Sequence, residues 1–86
     1  MPEFVHKHGC KNAAEAKKLV EEALKKSGYS EYIEWKGDSF ASTEGVKMLL
    51  ELEGHITKTD FIVEKSGGAF GDTALDECKK IAASFK

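Results

Sequence analysis

The sequence contains no arginine, a single proline and only two cysteines among its 86 residues. All 13 basic residues are lysines, and they stand against 15 acidic residues, so the formal net charge is −2. Arginine supplies the planar, two-pronged donor that grips phosphates and guanine edges. The lack of arginine, together with the acidic balance, therefore predicts that the protein does not bind nucleic acid.

Long apolar runs are also missing. The longest is residues 48–50, far short of the roughly 20 residues that a membrane-spanning helix needs. Neither Cys10 nor Cys78 belongs to a Cys-x-x-Cys pair, and we expect two free thiols in a cytoplasmic protein. A chain of this length has room for one core, so residues 1–86 are predicted to form a single domain.

Two segments show the apolar spacing of amphipathic helices. The first starts with a capping-box pattern, Asn12 followed by Glu15, and ends before Gly28. Its apolar stripe consists of Ala16, Leu19, Val20, Ala23 and Leu24. The second follows a glycine-rich connection and is predicted to be capped by Asp72 or Thr73. Its apolar stripe consists of Ala74, Leu75, Cys78, Ile81, Ala82 and Phe85.

The remaining patterns are typical of β-strands. We predict strands at residues 3–8, 29–36 and 39–43. Strict alternation over residues 46–56 indicates a half-buried strand, which turns back at residues 58–59 into a last strand. The order β-α-β-β-β-β-α predicts an α+β fold, an antiparallel sheet of four or five strands with two helices packed on one face. By analogy of shape this arrangement is similar to a reduced helix-grip fold.

The register of the last hairpin decides which side chains face the helices. Pairing across the turn sets Ile56 opposite Phe61, which assigns Met48 to the inner face of the sheet. Leu49 and Ile62 are assigned to the outer face, separated by acidic residues. Like charges there oppose face-to-face stacking of two sheets, so we expect a mainly monomeric protein. A weak dimer through a sheet edge is the alternative.

The most distinctive local pattern is Trp-x-Gly-Asp-x-Phe at residues 35–40, which pairs Trp35 with Phe40 in either of two turn registers. The chain also contains, in order, His8-Gly9, Glu15-Ala16 and Gly54-His55-Ile56. Together these motifs resemble the polyhydroxyalkanoic acid system proteins, small bacterial proteins linked to polyester storage granules. The resemblance implies a bacterial accessory protein beside an apolar ligand, a granule surface or a protein partner. We expect it to be non-catalytic and without a cofactor.

Apolar side chains of the sheet and the last helix are the candidates for holding such a ligand. They are Trp35, Phe40, Leu50, Leu52, Ile56, Phe61, Leu75 and Phe85. The alternative is that these residues fill the core, as most large apolar residues do in a small domain.

A second hypothesis, from a different class, is a small metal- or thiol-dependent protein. Residues two apart on a strand point the same way, so His6 and His8 could offer two imidazoles to one metal, with Cys10 nearby as a thiolate. A stable site normally needs three or four ligands, and the sequence supplies no obvious further one. Cys78 lies within a predicted apolar stripe, which leaves Cys10 as the better candidate for a reactive thiol.

Overall fold

The fold is a five-stranded antiparallel sheet with two helices on one face, seen in a computed structural model that describes residues 2–46 and 48–85. The strands are β1 (Phe4–Lys7), β2 (Ile33–Lys36), β3 (Ser39–Ser42), β4 (Glu51–Ile56) and β5 (Asp60–Gly67), in the spatial order β1-β5-β4-β3-β2. The helices are α1 (Ala13–Lys26) and α2 (Gly71–Ser84), and short 3-10 helices occupy Ser30–Tyr32 and Glu44–Val46. The predicted α+β class is confirmed. Neither α1 nor α2 has the length and apolar character needed to cross a membrane.

One hydrophobic core joins both helices to one face of the sheet. Alternate residues of the central strands point into it, and Leu52, Phe61 and Val63 are at most 1% exposed. Val20 from α1 and Cys78 from α2 are fully buried in the same cluster. The opposite face of the sheet carries no helix and is therefore open.

The register predicted for the β4–β5 hairpin is confirmed. Ile56 lies opposite Phe61, and Gly54 lies opposite Val63, with a bulge between Glu53 and Gly54. The hairpin register follows from the turn and from the alternation of apolar residues, which both act locally.

The aromatic pair of the β2–β3 hairpin is also confirmed. Trp35 is the partner of Phe40, and the centroids of their rings are 5.1 Å apart. The Nζ atom of Lys17 on α1 lies 5.3 Å from the centre of the Trp35 ring, within the range of a cation–π contact. The hairpin motif thus helps to hold α1 over this end of the sheet.

Helix α1 begins and ends as the sequence predicts. The Oδ1 atom of Asn12 accepts a hydrogen bond from the N–H of Glu15 at 2.9 Å. At the other end Gly28 has a φ of +82°, and the N–H of Tyr29 donates to the carbonyl of Leu24 at 2.9 Å. This is a Schellman ending, in which a glycine in the left-handed conformation reverses the chain.

The strand predicted at residues 29–36 is shorter than expected and begins at Ile33. The N–H of Tyr32 donates to the carbonyl of Tyr29 at 3.0 Å, which closes a 3-10 turn. The carbonyl of Tyr32 then accepts from the N–H of Thr43 at 2.9 Å. The prediction was wrong here because the chain reversal after α1 continues into a turn before the strand pairs.

The long strand predicted before the β4–β5 turn is wrong in its first half, and β4 begins only at Glu51. The N–H groups of Leu49 and Leu50 both donate to the carbonyl of Val46, at 2.9 and 2.7 Å. These two N–H groups are therefore satisfied within a turn and are not paired with a neighbouring strand. Lys47, which the predicted strand included, lies outside the described residues.

Two side-chain placements derived from that strand are corrected with it. Met48 is 91% exposed and does not face the core. Leu49 lies in the turn and not on the outer face of the sheet. Ile62 does point to the outer face, where it lies half-buried opposite Val5.

Helix α2 starts at Gly71, so Asp72 and Thr73 lie in its first turn and do not cap it. Phe70 occupies the N-cap position without a side-chain hydrogen bond. The N–H of Phe70 donates to the carbonyl of Leu49 at 2.6 Å. This contact with a distant turn, which no local pattern reveals, fixes where the connection ends and the helix begins.

Candidate functional site

An apolar groove opens at one end of the sheet, where β3 and β5 end and β2 and β4 begin. Its volume is about 220 Å³. It is formed by the connection after α1, the turn before β4 and the loop before α2. The lining residues are Tyr29, Tyr32, Val46, Leu49, Leu50 and Phe70. We refer to these six residues as the apolar groove.

Main-chain contacts tie the walls of the apolar groove together. The 2.6 Å hydrogen bond from Phe70 to Leu49 joins the loop before α2 to the turn before β4. Gly68 lies close to the same turn, since a Cβ atom at its position would come within 2.8 Å of the Leu49 carbonyl. The third wall is the connection after α1, and the hydrogen bond from the N–H of Thr43 to the carbonyl of Tyr32 holds it in place. The groove is therefore formed in advance of any binding.

The apolar groove is also where exposed apolar side chains concentrate. Leu49 and Phe70 are each 55% exposed, Tyr32 is 41% exposed, and the neighbouring Met48 is 91% exposed. Four of the six large exposed hydrophobic residues in the described ranges thus belong to this region. Contiguous exposed apolar surface typically marks a binding site, whereas single exposed apolar residues do not.

The eight residues predicted to line a pocket lie mostly in the core. Phe40, Leu52, Ile56, Phe61 and Phe85 are buried there, and Trp35 and Leu75 pack against it half-buried. Only Leu50 reaches the apolar groove.

Five lining residues were therefore missed by sequence reasoning. The missed residues are Tyr29, Tyr32, Val46, Leu49 and Phe70. One signal was present in the sequence, because Phe70 is a large aromatic residue inside a glycine-rich connection, where polar or small residues are usual. Tyr29, Tyr32 and Val46 were assigned to strands whose alternation gave no reason to single them out, and Leu49 was singled out only as an apolar residue on the outer face of the sheet.

The structure brings His8 and Cys10 together, but both nitrogens of the His8 imidazole are used in hydrogen bonds to the main chain. His8 is 1% exposed. Its Nε2 donates to the carbonyl of Thr57 at 2.9 Å, and its Nδ1 accepts from the N–H of Cys10 at 3.0 Å. These partners fix the tautomer with the proton on Nε2. A metal ion at His8 would have to displace one of the two bonds.

His6 is exposed on β1, and its Nδ1 lies 2.8 Å from the carbonyl of Lys7. Within residues 2–46 and 48–85, no three His, Cys, Asp or Glu side chains are grouped as metal ligands would be.

Both cysteines are free thiols, and their surroundings disfavour the thiolate. Burial, and then the charge of Glu15, raise the pKa of Cys10. Burial, and then the charge of Glu77, raise the pKa of Cys78 to about 12. A catalytic cysteine needs the opposite shift, because only the thiolate is a strong nucleophile.

The pKa of Cys78 leads to a prediction about alkaline pH. A folded-state pKa of about 12 lies above that of an unfolded thiol, near 8.5. The fold thus favours the neutral thiol of Cys78. The stability that this preference contributes is complete below roughly pH 8.5 and is lost as the pH rises towards 12. Urea denaturation across that window should show a falling free energy of unfolding. The fall should be smaller in Cys78→Ala, and an identical fall in both proteins would contradict the assignment.

The chain matches no protein-family model, no curated protein and no solved structure in the three comparisons with known proteins. The fold and the groove themselves define the class, a small α+β protein with a preformed apolar groove at the end of its sheet.

Proposed function

We propose that the protein is a non-catalytic binding protein that holds an apolar group of a partner in the apolar groove. The observation that carries the proposal is the clustering of exposed Tyr32, Met48, Leu49 and Phe70 around a groove whose walls are joined by main-chain hydrogen bonds. Two observations support a non-catalytic role. The pKa values of both thiols are raised, and both ring nitrogens of His8 already make hydrogen bonds to the main chain.

Binding at this groove has a clear source of free energy. Covering exposed apolar surface contributes roughly 25 cal/mol per Å², and Leu49 and Phe70 each leave about half of their surface in water. Because the walls are already fixed, binding loses little conformational entropy. The volume of about 220 Å³ is below the roughly 300–1,000 Å³ of pockets that enclose a whole drug-sized ligand. The groove therefore suits one or two apolar groups that project from a larger partner.

A titration with a neutral, apolar fluorescent dye such as N-phenyl-1-naphthylamine tests the proposal. We expect saturable fluorescence enhancement with the unmodified protein. Leu49→Lys should weaken it by at least about tenfold, which corresponds to 1.4 kcal/mol, because a charge is placed in the groove.

The matched control is Leu19→Lys. Leu19 was assigned by helical spacing to the buried stripe of α1, yet it is 44% exposed and does not line the groove. This variant should bind the dye like the unmodified protein. Equal binding by Leu49→Lys, with an unchanged circular dichroism spectrum, would exclude the groove as the site.

The setting that we propose is the bacterial cytoplasm and its polyester storage granules. The support is the resemblance of the Trp35–Phe40 hairpin to the polyhydroxyalkanoic acid system proteins, together with an exposed apolar groove suited to work beside an apolar body. Sedimentation with poly(3-hydroxybutyrate) granules, bare or coated with their native proteins, tests this setting. We expect the protein to sediment with at least one of the two granule preparations. Leu49→Lys should reduce this sedimentation, and Leu19→Lys should not. No retention on either would remove the polyester setting and leave the groove proposal standing.

A further inference from the structure

We propose that Met48 is an oxidation site that controls binding at the apolar groove. Hydrogen peroxide, or another two-electron oxidant of its class, converts the thioether of Met48 to the sulfoxide, which lowers the affinity of the groove for an apolar group. This inference rests on the proposed function and adds the regulation of the same site. It combines two observations, the exposure of the Met48 side chain and the position of its main chain beside the groove.

Met48 is the most exposed of the large hydrophobic residues in the described ranges. It is 91% exposed, against 55% for Leu49 and for Phe70. An oxidant has to contact the sulfur atom directly, and nothing shields a side chain that lies almost wholly in water. The same exposure means that Met48 contributes little to the packing of the free protein, so its oxidation should leave the fold unchanged.

The main chain next to Met48 is fixed at the groove wall. The N–H of Leu49 donates to the carbonyl of Val46 at 2.9 Å, and the carbonyl of Leu49 accepts from the N–H of Phe70 at 2.6 Å. These three residues all line the groove. Adjacent Cα atoms are about 3.8 Å apart, so the side chain of Met48 starts one residue from the wall. It therefore belongs to the rim of the groove.

Methionine at this rim is suited to cover a bound apolar group. Its unbranched side chain has three rotatable bonds and adapts to partners of different shape, which is why methionine is frequent on binding surfaces. Oxidation replaces this flexible apolar side chain with a polar one. Covering an apolar group would then remove the sulfoxide oxygen from water without a hydrogen bond, which costs free energy. The oxidised rim therefore opposes the binding that the reduced rim favours.

The oxidation needs only the side chain and the peroxide. A lone pair of the sulfur attacks one oxygen of hydrogen peroxide, the S–O bond forms and the O–O bond breaks. The sulfur loses two electrons, and the departing oxygen leaves as water after taking up the proton of the transferred oxygen. No other side chain takes part, so the step is compatible with a non-catalytic protein. Methionine sulfoxide reductases reverse it.

The two thiols compete poorly for the same oxidant. Cys78 is fully buried, and burial raises its pKa to about 12. Burial also raises the pKa of Cys10. Peroxides attack the thiolate, so both cysteines should react slowly near neutral pH. Met1, the other methionine of the sequence, lies outside the described residues and is present in every variant below.

The experiment treats the full chain with hydrogen peroxide at neutral pH and removes the excess with catalase. Peptide mass spectrometry should show one added oxygen atom on Met48. Titration with N-phenyl-1-naphthylamine should then show an affinity at least about fivefold lower than before treatment. The thermal unfolding curve should not move, since Met48 makes little contact in the free protein.

Two substitutions of Met48 provide the controls. Met48→Leu keeps an apolar side chain that peroxide does not oxidise, so its dye affinity should stay near that of the unmodified protein before and after treatment. Met48→Gln carries a polar side chain of similar length, and it should bind as weakly as the oxidised protein without any peroxide. Methionine sulfoxide reductase with dithiothreitol should restore the affinity of the oxidised protein, and dithiothreitol alone should not.

The outcomes separate this inference from the proposed function. Unchanged dye affinity after complete oxidation of Met48, or an equal loss in peroxide-treated Met48→Leu, would overturn the inference and leave the groove as an apolar site. Resistance of Met48 to peroxide would overturn it as well. If the dye does not bind even before oxidation, the proposed function itself fails, and this inference fails with it.

Discussion

Gly54→Ala is expected to lower the free energy of unfolding by at least about 3 kcal/mol, the upper range for overpacked cores. A Cβ atom at Gly54 would lie 2.3 Å from the carbonyl oxygen of Ile62 and 2.5 Å from the Cζ atom of Phe40. Real Cβ atoms do not approach other atoms so closely. One of the two obstacles is main chain of β5, which cannot move without disturbing its pairing with β4.

The second obstacle, the ring of Phe40, is also held in place. Phe40 is 3% exposed, and its ring centroid lies 5.1 Å from that of Trp35 and 6.1 Å from that of Phe61. Moving the ring away from Gly54 would therefore displace two further aromatic side chains. Glycine at this position lets Phe40 lie directly over the backbone of β4, as close packing against a strand requires.

Gly45→Ala is the matched control, since no atom of the described residues, apart from the chain neighbours of Gly45, lies within 4 Å of a Cβ atom built there. Urea denaturation followed by circular dichroism should show the control near the unmodified protein. The Gly54→Ala protein should be largely unfolded or have a much lower midpoint. A midpoint for Gly54→Ala within the range of the control would show that the packing of Phe40 on Gly54 is wrong.

The sequence predicts those parts of the fold that local interactions decide. The Asn12 cap and the reversal at Gly28 each need only a few neighbouring residues, and both are found. The pairs Trp35–Phe40 and Ile56–Phe61 follow from turns that join their own strands. In each case the partner lies within a few residues, so the pattern along the chain contains the whole interaction.

The predictions from sequence fail for residues whose hydrogen-bond partner lies far away along the chain. Residues 46–50 alternate like a strand, yet the N–H groups of Leu49 and Leu50 bond to Val46 within a turn, and the carbonyl of Leu49 accepts from Phe70, some 20 residues later. Period-two alternation shows which side chains could share a face, but not whether a neighbouring strand is available. The apolar groove depends on this same contact between Leu49 and Phe70. The site could therefore not be predicted from spacing, although an aromatic residue in a glycine-rich loop was a usable signal.

His8 illustrates a different limit of sequence reasoning. Alternation along the strand predicted at residues 3–8 assigns it to the same face as His6, but only the structure shows that it is buried against Phe85, with ring centroids 6.1 Å apart. Its Nε2 donates to the carbonyl of Thr57, and its Nδ1 accepts the N–H of Cys10. The imidazole thus joins the end of β1, the turn between β4 and β5, and the end of α2.

His8→Ala is therefore expected to lower the free energy of unfolding by about 3 kcal/mol. The substitution removes a ring that is 1% exposed and leaves the half-buried Thr57 carbonyl and Cys10 N–H without their imidazole partner. A fully buried polar group left unpaired costs roughly 1–3 kcal/mol, so these two groups together with the lost ring account for the expected change. The main-chain bond from His8 to Thr59, at 3.0 Å, remains, so β1 should stay paired. Denaturation at neutral pH measures the loss, and His6→Ala, at an exposed position of the same strand, is the control. Equal stability of the two variants would mean that the buried imidazole of His8 and its hydrogen bonds contribute nothing to the free energy of unfolding.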